Sequence, residues 1–229
     1  MLVRYWMSRE VVTIDAEDSM QHATGLMREH KIRLLPVVSK GRLVGIISDG
    51  DLKRASASDA TTLDIHELLY LVSRIKVKDI MTTDPVVVPS DFTVEETAEI
   101  LMGRRISGAP VVDNQQIVGI ITRDDLFKVL ISLSGLGKRG IQFAFKIEDR
   151  PGSIKELTDI IRRYGGRIAS ILGTYERVVE GFRVVFLRAY DLDREKLQQL
   201  LQELKEKALM FYFVDHRGNR REVFADINT

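Results

Sequence analysis

The 229-residue chain has no cysteine, which excludes a disulfide framework, a thiol nucleophile and a cysteine zinc site. It also has almost no net charge, since 34 Lys and Arg against 33 Asp and Glu leave +1. A field able to gather phosphate backbones is therefore missing, which disfavours nucleic acid as a partner without excluding it. No apolar run approaches the roughly 18–20 residues of a membrane span, and the opening MLVRYWMSREVV has no apolar signal core. The expectation is a cytoplasmic protein with no membrane partner. His22, His30, His66 and His216 show no metal-ligand spacing, and the plentiful carboxylates form no paired set with a nearby base. Neither a metal site nor catalytic residues are expected. With 45% apolar and 29% charged residues the composition is that of an ordinary soluble globular chain.

What the chain does contain is a duplication. The stretch RLLPVVSKGRLVGIISDGDL (Arg33–Leu52) returns 74 residues later as SGAPVVDNQQIVGIITRDDL (Ser107–Leu126). The register holds backwards without a gap: Met7 aligns with Met81, Ser19 with Thr93, Ile32 with Ile106, Pro36 with Pro110, Gly45 with Gly119. Two copies are too few for a solenoid, so two units packed about a pseudo-twofold axis are expected. Each copy reads as strand, helix, strand, strand, helix. Ser19 and Thr93 stand as helix caps. Met20, Ala23, Leu26 and Met27 follow at helical spacing, as do Val94, Ala98, Leu101 and Met102.

The boundaries are 1–58 for the first repeat, 59–75 for a connector with an apolar-rich helical stretch (Leu63–Ile75), and 76–134 for the second repeat. A linker over 135–140 contains Gly135, Gly137 and Gly140 in a dinucleotide-like spacing. That motif needs a strand before it and a helix after it; here the order is reversed, so it reads as a linker. Residues 141–214 alternate as β-α-β-β-α-β, the split ferredoxin-like arrangement. Residues 215–229 form a tail or a hairpin around the turn signal Gly218-Asn219. The fold class is α+β.

The duplicated half resembles a tandem pair of cystathionine-β-synthase-type (CBS) repeats, a Bateman module, through IRLLPVV…GRLVGIISDGDL and ISGAPVV…QQIVGIITRDDL with their Met-led entries WMSREVVTI and IMTTDPVVV. The last third resembles an ACT domain through EDRPGSIKELTDIIRRYGGRIASI. The order of the two is similar to that of the acetoin-utilisation protein B family. The first resemblance implies a regulatory ligand (AMP, ADP, ATP or S-adenosylmethionine) in clefts between the repeats, carried by Gly45, Ser48 and Asp51 and by Gly119, Thr122 and Asp125. The chemistry is reasonable for those residue types. Glycine clears room beside the backbone, and a hydroxyl at a strand end meets a helix start that favours phosphate. An Asp one turn in can accept both hydroxyls of a ribose. The same Ser/Thr-x-x-Asp spacing also fits a capping box that needs no ligand, and capping is expected in both copies. Arg123 adds positive charge beside the second copy, where the first has Asp49-Gly50, so Asp125 is favoured over Asp51 as a ligand contact.

The base would rest among apolar groups: Val12, Thr13 and Ile14 or Val86, Val87 and Val88, with Ile32, Leu35, Ile106 and Ala109 opposite. Arg33, Arg104 and Arg105 are candidates for phosphates or solvated surface residues. The ACT resemblance implies a free amino acid at Asp149, Arg150, Gly152 and Ser153, against an unoccupied turn as the alternative. The function implied is non-catalytic regulation, with the signal passed to a metabolic enzyme partner by a homodimer, around acetyl-CoA or acetoin metabolism. A ligand-free dimerisation scaffold or a nucleic-acid-binding regulator is the alternative.

Overall fold

A computed structural model of the chain describes residues 1–58 and 74–226; the expected connector helix falls outside them except for its last two residues. The chain forms two compact units, Met1–Phe127 and Lys128–Thr229. Among the described residues no helix is long and apolar enough to cross a membrane.

In the first unit the leading repeat runs β1 (Ile14–Asp15), α1 (Met20–Glu29), β2 (Leu34–Ser39), β3 (Arg42–Ser48) and α2 (Asp49–Ser58). The second begins with a short helix, α3 (Val77–Ile80), and β4 (Thr82–Thr83). It continues through α4 (Val94–Gly103), β5 (Gly108–Asp113), β6 (Gln116–Thr122) and α5 (Arg123–Leu133), a helix whose residues from Lys128 fall in the second unit. The Ser19 hydroxyl accepts the His22 N–H at 3.1 Å. Thr93 and Glu96 form a full reciprocal capping box. The buried stripe of α1 is Met20, Ala23 and Met27, as the spacing predicts. That of α4 is Val94, Thr97 and Leu101, while Met102 is 74% exposed. The helix is therefore rotated from the expected face. Buried Thr97 is tolerated because its hydroxyl donates to the Thr93 carbonyl at 2.9 Å.

The duplication reaches the hydrogen-bond register. Leu34 pairs with Ser48 and Gly108 with Thr122, and each hairpin carries an irregularity at the same place, between Val37 and Val38 and between Val111 and Val112. The entry segments behave otherwise: each completes the opposite repeat. Thr82 and Thr83 add to β3 of the first copy, and Ser8 exchanges two 2.9 Å backbone bonds with Ile120 of the second. The crossing backbone bonds come in twins. Val77 N–H donates to Asp18 and Val3 N–H to Phe92; Met20 N–H donates to Ile75 and Val94 N–H to Met1. Side chains cross as well: Val77 lies in the core with Ile14, Leu35 and Ile47, and Val3 in the core with Val88, Leu101 and Ile121. Such an exchange makes the two repeats one folding unit, because neither core is complete without the other's leader.

The second unit contains β7 (Ile141–Glu148), α6 (Ser153–Arg163), β8 (Arg167–Thr174), β9 (Phe182–Tyr190), α7 (Leu197–Lys207), β10 (Leu209–Asp215) and β11 (Arg220–Val223). Its sheet has the order β11-β10-β7-β9-β8, the βαββαβ topology with one strand added. Phe143, Phe145, Leu157, Ile161, Leu187, Leu200, Leu204 and Phe213 form the core between the sheet and its helices. The tail pairs back as a hairpin. Asp215 fastens the turn, accepting the N–H groups of Arg217 and Gly218 at 3.0 Å each while Arg194 binds its carboxylate. The glycine-rich segment holds one short 3-10 turn, Leu136–Lys138. A Cβ on Gly140 would collide with the Ala189 backbone, so that glycine serves close packing against β9.

Candidate functional site

The two Ser/Thr-x-x-Asp boxes sit where β3 meets α2 and where β6 meets α5. In the first, Asp51 Oδ2 accepts the Ser48 N–H at 2.8 Å and the Ser48 hydroxyl at 2.6 Å. In the second, Asp125 Oδ2 accepts the Thr122 N–H at 3.0 Å and its hydroxyl at 2.7 Å. The hydroxyls in turn accept the Asp51 and Asp125 N–H groups at 3.3 and 3.4 Å. Both boxes are reciprocal caps. Both are also tied to the residue that leads into the hairpin, since Asp49 N–H donates to the Arg33 carbonyl, just before β2, and Arg123 N–H to the Ser107 carbonyl, just before β5.

The two boxes flank the contact between the repeats. A Cβ on Gly108 would stand 3.1 Å from Leu34 Cδ2, and Leu34 and Gly108 are the equivalent residues that pair with Ser48 and Thr122. Their surroundings differ. Arg54 binds the outer oxygen of Asp51, while Asp125 is only 6% exposed.

The glycines of the motif have an occupant that sequence reasoning did not find. A Cβ on Gly45 would lie 2.6 Å from Met81 Sδ and 2.9 Å from the Thr82 carbonyl oxygen. One on Gly119 would lie 2.8 Å from Met7 Cγ and 3.1 Å from the Ser8 carbonyl oxygen. The room these residues clear is filled by the crossing entry segments, which corrects the reading of Gly45 and Gly119 as making space for a ligand. The signal was present as two equally spaced pairs, Met7 with Gly119 and Met81 with Gly45, but nothing local says that the pairs cross.

The remaining candidates separate. Ala109 is fully buried in the core of the second repeat, so its side chain cannot line an open cleft. Ile106 is partly buried against the same core, and Val87 is 42% exposed. Arg33, Arg104, Arg105 and Arg123 are all exposed.

In the second unit a cavity of about 420 Å³ opens where the end of β7 meets α6 and the start of β10. Arg150 and Ser153 line it, together with Glu148, Glu156 and Lys207. Arg150 spans it, donating to Glu148 at 2.9 Å and to both oxygens of Glu156 at 2.8 and 2.9 Å. Arg150 and Lys207 hold the Glu156 carboxyl down at about 2. Asp149 faces elsewhere, 3.4 Å from both Tyr175 and Arg183. Gly152 takes φ +87° at the cap of α6, a left-handed conformation that favours glycine. The 3.0 Å bond from the Ser153 hydroxyl to the Arg150 carbonyl closes the turn.

Two β-α-β-β-α repeats that exchange their leaders and present twin capped boxes define a tandem repeat pair. The CBS domain model matches residues 3–58 and 77–132. A CBS domain-containing protein of Dictyostelium discoideum is 32% identical over 134 residues, covering 58% of this chain and 92% of that one. The chain belongs to the CBS domain family. It is also 35% identical over 120 residues to an inosine-5'-monophosphate dehydrogenase of Korarchaeum cryptofilum, covering 52% of this chain and only 22% of the enzyme's length. Among solved structures, a Vibrio cholerae protein with a proposed role in acetoin utilization is 28% identical with a TM-score of 0.51, covering 60% of this chain and 96% of that one. A CBS domain pair solved with 5'-methylthioadenosine and S-adenosyl-L-methionine is 29% identical with a TM-score of 0.49, covering 57% and 95%.

Proposed function

We propose that the CBS pair senses an adenosine compound (AMP, ADP, ATP or S-adenosylmethionine) and passes the signal, without catalysis, to a metabolic enzyme partner. The observation that carries this reading is the pair of Ser/Thr-x-x-Asp boxes on either side of the Leu34–Gly108 contact. Each sets a hydroxyl and a carboxylate at the start of a helix, where a phosphate and a ribose find complementary groups. In the proposed site Thr122, Arg123 and Asp125 lead, Ser48, Asp51 and Arg33 serve the weaker copy, and Ile106 and Val87 border the base. The C-terminal βαββαβ unit is proposed as an ACT-like domain that takes a free amino acid at the Arg150–Ser153 turn. The whole acts as a homodimer in the cytoplasm, in acetoin or acetyl-CoA metabolism.

A thermal-shift panel of adenine nucleotides, S-adenosylmethionine and free amino acids tests the reading. An adenosine compound at a hundred times its Kd adds about 2.7 kcal/mol, or roughly 5–10 °C for a cooperative chain of this size. No shift with any adenine compound at millimolar concentration would transfer the function to a ligand-free scaffold. Steeply salt-dependent binding to nucleic acid would point to the other alternative.

A further inference from the structure

Helix α5 starts at the Thr122–Asp125 box, and its last residues, from Lys128, belong to the second unit. The helix ends at Leu133, and the next carbonyl, that of Ser134, is received by two side chains of the sheet. Arg188 Nε donates to it at 2.6 Å and the Ser170 hydroxyl at 2.8 Å. These two residues are ladder partners on β9 and β8, and Gln142, the partner of Arg188 on β7, accepts from its Nη2 at 3.2 Å. Gly135 follows with φ +65°, and a Cβ there would stand 3.0 Å from Ala169 Cβ. The helix end is thus seated on the sheet by one polar row and a close backbone approach.

Arg188 is an unusual residue to find there. It is 3% exposed, and its Nη1 has no hydrogen-bond partner among the described residues. No carboxylate ion pair is seen for it among the described residues. A buried guanidinium without a counter-charge is costly, and burial pulls its pKa down. What compensates it is the partial negative charge at the C-terminal end of α5, delivered through the Ser134 carbonyl. The hold is therefore sensitive to how that end is presented: a small displacement leaves Arg188 with less compensation.

We propose that α5 is the output element of the adenosine site, with Arg188 and Ser170 as the positioning residues that read the state of the Thr122–Asp125 box through the Ser134 carbonyl. The inference rests on the sensor reading. A ligand that draws on the Thr122 hydroxyl or the Asp125 carboxylate competes with the bonds that hold the first turn of α5, and one continuous helix carries the change to its far end. Coupling of this kind is reciprocal, so loosening the far end changes affinity at the box.

Two measurements test it. In titration calorimetry with AMP, ATP and S-adenosylmethionine on the full chain, Arg188→Met and the milder Ser170→Ala are expected to change the affinity of whichever compound binds by about fivefold or more, the lower end of ordinary coupling. Both variants folded, with affinity within twofold of the parent, would overturn the proposal. Without ligand, Asp125→Ala is expected to speed amide hydrogen exchange in β8 and β9 well beyond the effect of Asp51→Ala, whose helix does not lead to the sheet. Equal exchange in the two variants would overturn it as well. If no adenosine compound binds the parent, the sensor reading fails by itself, and the exchange comparison still decides the role of α5.

Discussion

In the first repeat Asp51 caps α2 behind the acidic Asp49-Gly50 pair, whereas in the second Asp125 caps α5 from a buried position behind Arg123-Asp124. The entry segments differ in the same way. Glu17 of the first repeat is held by Lys76 and Lys78 of the crossing leader, with Lys78 at 2.7 Å. At the equivalent places the second has Asp91, Leu2 and Arg4, and Arg4 reaches only the Ser90 carbonyl at 3.4 Å. Ser90 N–H is instead received by Asp113 at 3.1 Å, where the first repeat has Ala16 bonded to the Val38 carbonyl. Apart from that one bond the backbone relations of the two copies are duplicated, and the side-chain chemistry has diverged. A shared fold therefore does not imply two equal sites.

The shared part is the place where a single change costs most. Gly119→Val is expected to destabilise the first unit by about 3 kcal/mol, because the new side chain meets Met7 and the Ser8 backbone and overpacking costs about 1–3 kcal/mol. Gly45→Val should cost as much through Met81 and Thr82, as denaturant melting would show. A clear inequality between the two would mean that the crossing is tighter on one side than the paired bonds suggest.

The diverged part is read by affinity. Asp125→Ala is expected to weaken binding of the adenosine compound about ten- to hundredfold, the loss of charge-assisted bonds worth about 1.5–3 kcal/mol. Asp51→Ala should cost less, because its copy has Asp49-Gly50 where the second has the basic Arg123 beside the box. Unchanged affinity in Asp125→Ala, with melting lowered by about 1 kcal/mol, would assign the box to helix capping alone.

Arg54→Met sharpens the contrast from the other side. Removing an exposed ion pair of this kind changes energies by about 0.2–1 kcal/mol. A rise in first-copy affinity of up to about fivefold is expected in the same titration. A fall would mean that Arg54 itself helps to hold the ligand.

The smallest effect is acid sensitivity at the stapled leader. Bonds from Lys76, then Lys78, hold the Glu17 carboxyl at about 2 instead of its ordinary 4.5. A carboxyl depressed in the folded state contributes stability that is complete above 4.5 and is lost as pH falls toward 2. Both partners are exposed and screened, so the contribution is slight. Glu17→Gln should flatten the melting temperature slightly between those limits, and an unchanged acid slope would show that the staple contributes nothing to folding.

Much of this was open to reading in the chain. The caps Ser19 and Thr93, the hairpin strands and the β-α-β-β-α-β order follow from spacing and cap chemistry, which act within a few residues. The boxes Ser48–Asp51 and Thr122–Asp125 were legible for the same reason. The buried face of α4 was not, because Thr97 is admitted to the core by a bond to its own helix backbone. The dual role of Arg150, lining a cavity while locking Glu148 and Glu156, also escaped. Its acids come from β7 and α6, and only folding brings them together.

By itself the sequence determined the duplication, the two capped boxes and the topology of the last third, since each rests on local periodicity, a local hydrogen bond or a copied register. Tertiary structure alone decided which leader joins which repeat. Met7 could have served its own copy by pattern, yet it lies on Gly119. A backbone edge accepts any strand of suitable length, so the partner is chosen by where the chain can reach and by which core then closes around Val3 and Val77.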